Sequence, residues 1–267
     1  MSERTQPKKR FLRALGVLGA LGIVGGAAAA LAGLAMPVPL MIIGGGLVAL
    51  GLNGLIAGDW LVGPPPRPFT ARGEVVRGVV EIHAGWSDAV VSDGPIDRIA
   101  SVVYGPFGKP DFTFEEGIAY LRLRRTLPLS RWQADLAGNV LWDVRARSTV
   151  GDLTLDLTRL RIEEVRARCG AGRLAVRCPS RGFVRLVLHT TLGQIEVIVP
   201  PEVGVRLRVK ATRLAAVRVS APGLYPAGDG SYATEGYEAA AAAVDVMVST
   251  SAGEIAVRGE STNPAVS

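Results

Sequence analysis

Short runs of alternating apolar and polar residues fill the second half of the sequence, and many of these runs begin with a glycine. Three of them, Gly151–Leu157, Gly172–Cys178 and Gly193–Val199, follow one another at a spacing of 21 residues. Alternation with period two is typical of β-strands with one buried and one exposed face. A fixed period indicates one supersecondary unit stacked on copies of itself. The pattern therefore predicts an all-β fold, a β-solenoid-like stack of 21-residue two-strand repeats.

A second series of alternating runs lies just before the glycine-led runs and has the same period. In a parallel solenoid, residues one period apart lie directly over one another at ~4.8 Å. This arrangement gives Ser148, Cys169, Thr190 and Ala211 one inward column of small side chains. The recurring glycine then marks a bend that needs positive φ or close backbone approach. An antiparallel meander folded into a sandwich is the alternative, and we favour the solenoid.

Two long runs near the N-terminus, 14–36 and 40–57, contain no charged residue and are separated by a short Pro-Val-Pro turn. Each is long enough to cross a bilayer as a helix, and the prolines break the helix where the chain reverses. Basic residues crowd the first entry point. The positive-inside rule therefore predicts a two-span hairpin in the plasma membrane with both termini in the cytoplasm. The alternative is a secretory signal, which would place the β region outside the cytoplasm.

Composition and pattern divide the chain into six segments. They are a basic cytoplasmic tail (1–13), the transmembrane hairpin (14–62), a Pro-rich linker (63–69), an irregular β region (70–141), the regular β-repeat region (142–258) with a Gly-, Pro- and Ala-rich insertion (221–243), and a disordered tail (259–267). The repeat copy that follows the insertion is expected to close the open end of the stack, because an exposed strand edge invites aggregation.

The net charge of +6 weakens as a nucleic-acid signal once it is divided along the chain. Residues 1–63 and residues 64–267 each carry +3, so the large C-terminal part is nearly neutral for its length. Specific nucleic-acid binding is therefore not expected.

The outward positions of the repeat form a candidate binding surface. With a period of 21 residues, basic side chains fall in register along two neighbouring columns. These candidate residues are Arg145, Arg147, Arg166, Arg168, His189, Arg208 and Lys210. Like charges in register repel each other and add nothing to folding, so such a row is suited to lipid headgroups, an acidic protein surface or phosphate. The plainer alternative is a solvated face whose charges are offset by Asp143, Glu163 and Glu164.

Catalytic and metal-binding patterns are missing from the sequence. The two cysteines, Cys169 and Cys178, fall at inward positions and are expected in the core. The two histidines, His83 and His189, have no nucleophile or metal-ligand motif near them. Neither a cofactor, a metal nor an enzymatic activity is therefore expected. Tryptophans at 132 and 142 are expected to pack against the end of the regular stack.

The Gly-Asp-Leu-Thr-Leu-Asp-Leu run at 151–157, the Gly-Gln-Ile-Glu-Val-Ile-Val-Pro run at 193–200 and the membrane-hairpin start resemble the toast-rack β-domains of LiaF-like cell-envelope stress proteins and related putative-adhesin domains. The resemblance covers about 70–258. It implies a membrane-attached, non-enzymatic β-stack that senses or modulates envelope stress, with a membrane signalling protein as partner. The irregular first half and the insertion depart from the family pattern. An extracytoplasmic structural or adhesive surface protein is the alternative function.

Overall fold

The computed structural model describes Gly45, Gly46, Val48 and residues 67–104, 109–124 and 132–260. The chain divides into two compact units, Met1–Pro64 and Pro65–Ser267. In the first unit the three described residues are helical. The predicted basic tail and transmembrane hairpin otherwise lie outside the described residues, as do 261–267 of the predicted C-terminal tail. Within the described part of the chain, no helix has the length and apolar character needed to cross a membrane.

The second unit is built almost entirely of β-strands, which confirms the all-β prediction. Its first nine strands are β1 (Arg67–Ala71), β2 (Arg77–Trp86), β3 (Ala89–Gly94), β4 (Ala100–Tyr104), β5 (Asp111–Glu115), β6 (Ile118–Arg124), β7 (Trp132–Ala137), β8 (Leu141–Val150) and β9 (Leu153–Asp156). They are followed by β10 (Arg161–Arg177), β11 (Phe183–Val199), β12 (Gly204–Ala211), β13 (Ala215–Ser220), β14 (Leu224–Gly228), β15 (Ser231–Thr234), a 3-10 helix at Tyr237–Ala239, and β16 (Ala243–Gly259). Strand β1 begins inside the segment predicted as a linker.

The central strands pair in parallel, and their offset is the spacing found in the sequence. Cys169 of β10 is the register partner of Ser148 on β8 and of Thr190 on β11, an offset of 21 residues on each side. Strand β9 pairs with the second half of β10 at the same offset, with Leu153 opposite Leu174.

The strands form two rows of pairings that share their three longest members. The first row runs β5, β6, β2, β8, β10, β11, β16, β12, β15, β14. The second runs β1, β4, β7, β3, β9, β10, β11, β16, β13. Strands β10, β11 and β16 are each 17 residues long and bend so that each half belongs to one row. The buried side chains of both rows belong to one hydrophobic core.

Seven segments of chain pass from the first row into the second. The bend of β6–β7 lies outside the described residues, and the other six segments are called coils here. They are β2–β3, β8–β9, β10, β11, β16 and β12–β13. Four of the six bends carry a glycine, at 151, 172, 193 and 253, with φ between 125° and 138°. Both predicted reasons for glycine hold, since φ is positive and the backbones approach closely.

The order of the last coils differs from the prediction. Strand β16 does not close the stack, because it lies between β11 and the coil β12–β13. The partner of Thr190 is therefore Thr250, and Ala211 is one strand further away. Coil β12–β13 lacks the bend glycine, with Ala215 opposite Gly253. Such a coil fits best at the end of the stack, where it has to match one neighbour instead of two.

The insertion 221–243 forms the hairpin of β14 and β15 and the short 3-10 helix. Strand β15 pairs antiparallel with β12, with Leu207 opposite Tyr232. The insertion therefore covers an edge of β12 that would otherwise present unpaired backbone groups.

The first half is irregular because its loops vary in length. Strand β2 is offset from β8 by 64 residues and from β6 by 41.

Trp132 and Trp142 are each at most 1% exposed, and the Trp142 indole Nε1 donates a hydrogen bond to the carbonyl oxygen of Ala137 (2.9 Å). Both rings are core residues, in agreement with the sequence analysis.

Candidate functional site

A continuous line of basic side chains crosses the outward face of the first row. Because alternate residues of a strand point to opposite faces, inward Val80, Ile82 and Ala84 place His83 outward on β2. Register partners then follow strand by strand. This line, the basic column, consists of Arg124 (β6), His83 (β2), Arg147 (β8), Arg168 (β10), His189 (β11) and Lys210 (β12), with Ser249 of β16 between the last two.

The basic column spans seven strands, which at about 4.8 Å per strand is roughly 29 Å. The His189 ring is half-buried, and its Nδ1 lies 2.9 Å from the Ser249 hydroxyl oxygen in a hydrogen bond. The other five members are exposed. Among the described residues, none of the cationic side chains Arg124, Arg147, Arg168 and Lys210 has a carboxylate within ion-pair distance.

The neighbouring column, two residues earlier on each strand, differs from the basic column because its arginines have acidic partners. The Arg145 guanidinium lies 3.0 Å from an Asp143 oxygen and 3.6 Å from a Glu81 oxygen. The hydrogen bond to Asp143, followed by the negative charge of that carboxylate, raises the pKa of Arg145. Arg166 pairs with Glu164 at 2.8 Å. This second column is therefore largely neutralised by acidic side chains.

The structure thus separates the seven predicted ladder residues into two groups. Arg147, Arg168, His189 and Lys210 lie in the unneutralised basic column, but Lys210 is not adjacent to His189 because Ser249 lies between them. Three others, Arg145, Arg166 and Arg208, lie in the second column, where Val187 and Met247 separate the last two.

Sequence reasoning missed two members of the basic column, His83 and Arg124. The alternation in β2 and β6 shows that both side chains point outward. Their register with β8 was hidden because the offsets of 64 and 41 residues are not multiples of 21.

The outward face of the second row is neutralised in a different way. Glu196 is 5% exposed. Its carboxylate accepts a hydrogen bond from Arg173 and forms an ion pair with Arg258, and these two arginines lie on the two neighbouring strands. The hydrogen bond to Glu196, followed by the negative charge of that carboxylate, raises the pKa of Arg173. On the same face Arg177 lies 3.7 Å from Asp156, and Arg218 lies 3.3 Å from Glu254.

Neither the cysteines nor two surface depressions of the described residues offer a reactive centre. Cys169 and Cys178 are each at most 1% exposed, and burial raises their pKa values to about 11 and about 12. The depressions, of about 500 and 530 Å³, have neither histidine nor cysteine in their walls. Within the part of the chain that the structure describes, no three His, Cys, Asp or Glu side chains converge as they would around a metal ion.

Comparison with known proteins gives a fold and no family. No family model matches the chain, and no curated protein matches it. A solved structure described as a "putative cell adhesion protein" from Clostridium sporogenes aligns with a TM-score of 0.62 and 14% identity, over 73% of this chain and 100% of that chain. A "putative adhesin" from Bacteroides fragilis aligns over 72% and 95% of the two chains at 9% identity, and its TM-score of 0.29 carries no further conclusion. The chain therefore shares its β-rich fold with the clostridial protein, while a LiaF-like identity stays a prediction.

Proposed function

We propose that this chain is a non-enzymatic binding module that presents the basic column to an anionic partner. The carrying observation is that Arg124, Arg147, Arg168 and Lys210 share one column of the first row, that Arg147 and Arg168 are direct register partners, and that within the described part of the chain none of the four has a carboxylate at ion-pair distance. Like charges on neighbouring strands destabilise a sheet. A positive line on a rigid face instead attracts an anionic surface and orients it.

The plainer alternative, a solvated face with scattered charges, is weakened by the neighbouring column. On the same strands and only two residues away, Arg145 and Arg166 each have acidic partners. This fold therefore accommodates compensating carboxylates readily, and the basic column does not contain them.

A binding role without catalysis is supported by the positions of the residue types that enzymes use. His83 is exposed and His189 is half-buried on the outward face of the first row, and neither lines the two depressions described above. Both thiols are protonated and buried. General acid–base or nucleophilic chemistry requires converging groups in a shielded site.

The proposed setting is a membrane. The charge-free runs 14–36 and 40–57 support a two-span anchor with the module on the cytoplasmic side, and the resemblance to LiaF-like proteins supports a role in envelope-stress signalling through a membrane partner. An extracytoplasmic adhesive surface protein is the second candidate, favoured by the fold shared with the clostridial protein described as a cell adhesion protein. A C-terminal reporter that is active only in the cytoplasm would be active in the first case and silent in the second.

Binding through the basic column is tested by ion-exchange on phosphocellulose with the full-length chain in a neutral detergent. The double variant Arg147→Glu/Arg168→Glu is compared with Arg72→Glu/Arg181→Glu. The control pair is exposed, lies outside the basic column and changes the net charge equally. We expect the first variant to elute at clearly lower salt than the control. Equal elution of the two variants would show that only net charge matters and would reject the proposal.

A further inference from the structure

A row of apolar side chains, four exposed and two half-buried, lies at the corner where the coils pass from the first row into the second. Every one of the six coils has an apolar residue at this position. This row, the apolar corner, consists of Trp86, Val150, Ala171, Leu192, Ala252 and Leu214. The first five are successive register partners, and the Leu214 carbonyl accepts a hydrogen bond from the backbone N–H of Gly253 (3.2 Å).

The large side chains of the apolar corner face solvent. Trp86 is 60% exposed, Leu192 56% and Leu214 78%. Isolated exposed apolar residues are ordinary on protein surfaces. Six apolar residues in consecutive coils, over roughly 24 Å at about 4.8 Å per strand, form a contiguous strip of the kind that marks an interaction surface.

Folding does not explain this strip. In four coils the corner residue directly precedes the bend glycine, whose close approach to the next coil sets the geometry of the bend. The corner side chains themselves point away from the core. The residue before each of them is polar or glycine, namely Thr149, Gly170, Thr191 and Ser251. Exposed polar residues are therefore accommodated at this bend, one position away from the apolar strip.

The apolar corner runs parallel to the basic column. On each central strand the two are three residues apart, as with Arg168 and Ala171 or His189 and Leu192, a distance of about 10 Å. The combined surface is an amphipathic edge with a convex apolar crest and a cationic flank. On the other side of the crest the corresponding column reads Asp88, Asp152, Arg173, Gln194 and Glu254, so this flank carries charges of both signs and the first flank is cationic.

We infer that this edge docks onto an anionic lipid bilayer, with the apolar corner entering the headgroup layer and the basic column contacting lipid phosphates. This inference rests on the proposed function and names the partner of the same surface. A bilayer accepts apolar side chains and adjacent cations at neighbouring depths, and Trp86 is a residue type favoured at that depth. A linear polyanion or an acidic protein surface would engage the basic column and leave the crest in water.

The predicted membrane spans would also supply the bilayer. If the runs 14–36 and 40–57 span the membrane as their composition predicts, they keep lipid at a high effective concentration near the module. Weak docking by a short apolar strip and a few cations is then sufficient.

The experiment places an environment-sensitive fluorophore on the crest. The full-length chain carrying Leu192→Cys is labelled and reconstituted into nanodiscs of phosphatidylcholine, with or without phosphatidylglycerol. The matched control is Thr154→Cys, an exposed position on the second row. The two native thiols are buried, and labelled wild-type protein provides the blank. We expect a blue shift and quenching by brominated lipid at 192 in the anionic discs, and neither at 154. Adding Arg147→Glu/Arg168→Glu should abolish both signals.

The outcomes separate this inference from the proposed function. If the label at 192 never reports lipid while charge reversal still weakens binding to phosphocellulose, the partner is a soluble polyanion or an acidic protein and this inference is wrong. If charge reversal changes neither readout, the proposed function fails as well. Lipid contact that is equal in neutral discs and survives charge reversal would overturn the anionic specificity stated here.

Discussion

Gly193 lies directly opposite Gly172, so close that a Cβ atom on Gly193 would be 2.0 Å from the Gly172 carbonyl oxygen. The same relationship joins Gly172 to Gly151, at 2.4 Å, and Gly253 to Gly193, at 1.8 Å. The column of bend glycines therefore sets how closely successive coils stack. It also positions the apolar corner and, through the strand register, the basic column.

Gly193→Ala is expected to be among the most destabilising single substitutions in the β unit. The new Cβ clashes with rigid backbone, and φ of 135° is unfavourable for alanine. We expect a loss of about 3 kcal/mol or more in the free energy of unfolding. The control is Gly182→Ala, which has positive φ but open space around the Cβ and is expected to lose about 1 kcal/mol. Urea unfolding measures both, and similar losses would contradict the role of close approach.

Glu196 should contribute more to stability than any exposed acidic residue of the second row. Its removal leaves Arg173 and Arg258 without their shared partner, although both can still be solvated because they are about half exposed. We therefore expect Glu196→Gln to lower the free energy of unfolding by about 1–2 kcal/mol. Glu254→Gln, which affects the pair between half-buried Glu254 and exposed Arg218, should lower it by at most about 0.5 kcal/mol. Chemical denaturation compares the two, and equal effects would show that burial of Glu196 adds nothing.

The thiols of Cys169 and Cys178 should be unreactive in the folded protein. Burial raises their pKa values to about 11 and about 12, so near the ordinary thiol pKa of about 8.5 they stay protonated while an unfolded chain forms thiolate. Disulfide-exchange reagents should therefore react about a hundredfold more slowly with native protein than with denatured protein. An added exposed thiol, Thr154→Cys, serves as the positive control. Fast reaction of the native protein without this substitution would contradict the burial.

The same pKa shifts have a defined sign for stability. Because the folded pKa values are raised, the thiols do not affect stability below the ordinary thiol pKa. As the pH rises from about 8.5 towards 11, the unfolded state loses these protons first and stability falls. The loss should be smaller in Cys169→Ala/Cys178→Ala, compared with its own stability at neutral pH. An identical decline in both proteins would assign the alkaline loss to other groups.

The sequence predicts the regular part of this fold well because its information is local and periodic. Alternation identifies the buried faces, and equal repeat lengths place Cys169 opposite Thr190. The position of β16 was not predictable in this way. A β-coil pairs with whichever neighbour matches it, and 60 residues separate Thr190 from its partner Thr250. His83 was missed for a related reason, since irregular loops hide the register of β2.

The candidate surface was predictable only in part. The periodic positions identified Arg147 and Arg168 as neighbours, but the difference between this column and the one beside it depends on acidic side chains from other strands. Glu81, for example, neutralises Arg145 from β2. The apolar corner was not recognised, because Val150, Leu192 and Leu214 read as ordinary strand residues until the bends place them outside the core.

Arg168 and Arg166 provide the sharpest test of whether the basic column opposes folding. They lie two residues apart on β10, but the register partners of Arg168 are Arg147 and His189, whereas Arg166 pairs with Glu164 at 2.8 Å. We expect Arg168→Gln to raise the free energy of unfolding by a few tenths of a kcal/mol, about 0.3–0.5, because a repulsion is removed. Arg166→Gln should lower it by a similar amount. Added salt should shrink both effects, since both are electrostatic between exposed groups. Urea unfolding at low and high salt measures both effects. If Arg168→Gln lowers the free energy of unfolding, Arg168 stabilises the fold and the column does not oppose folding.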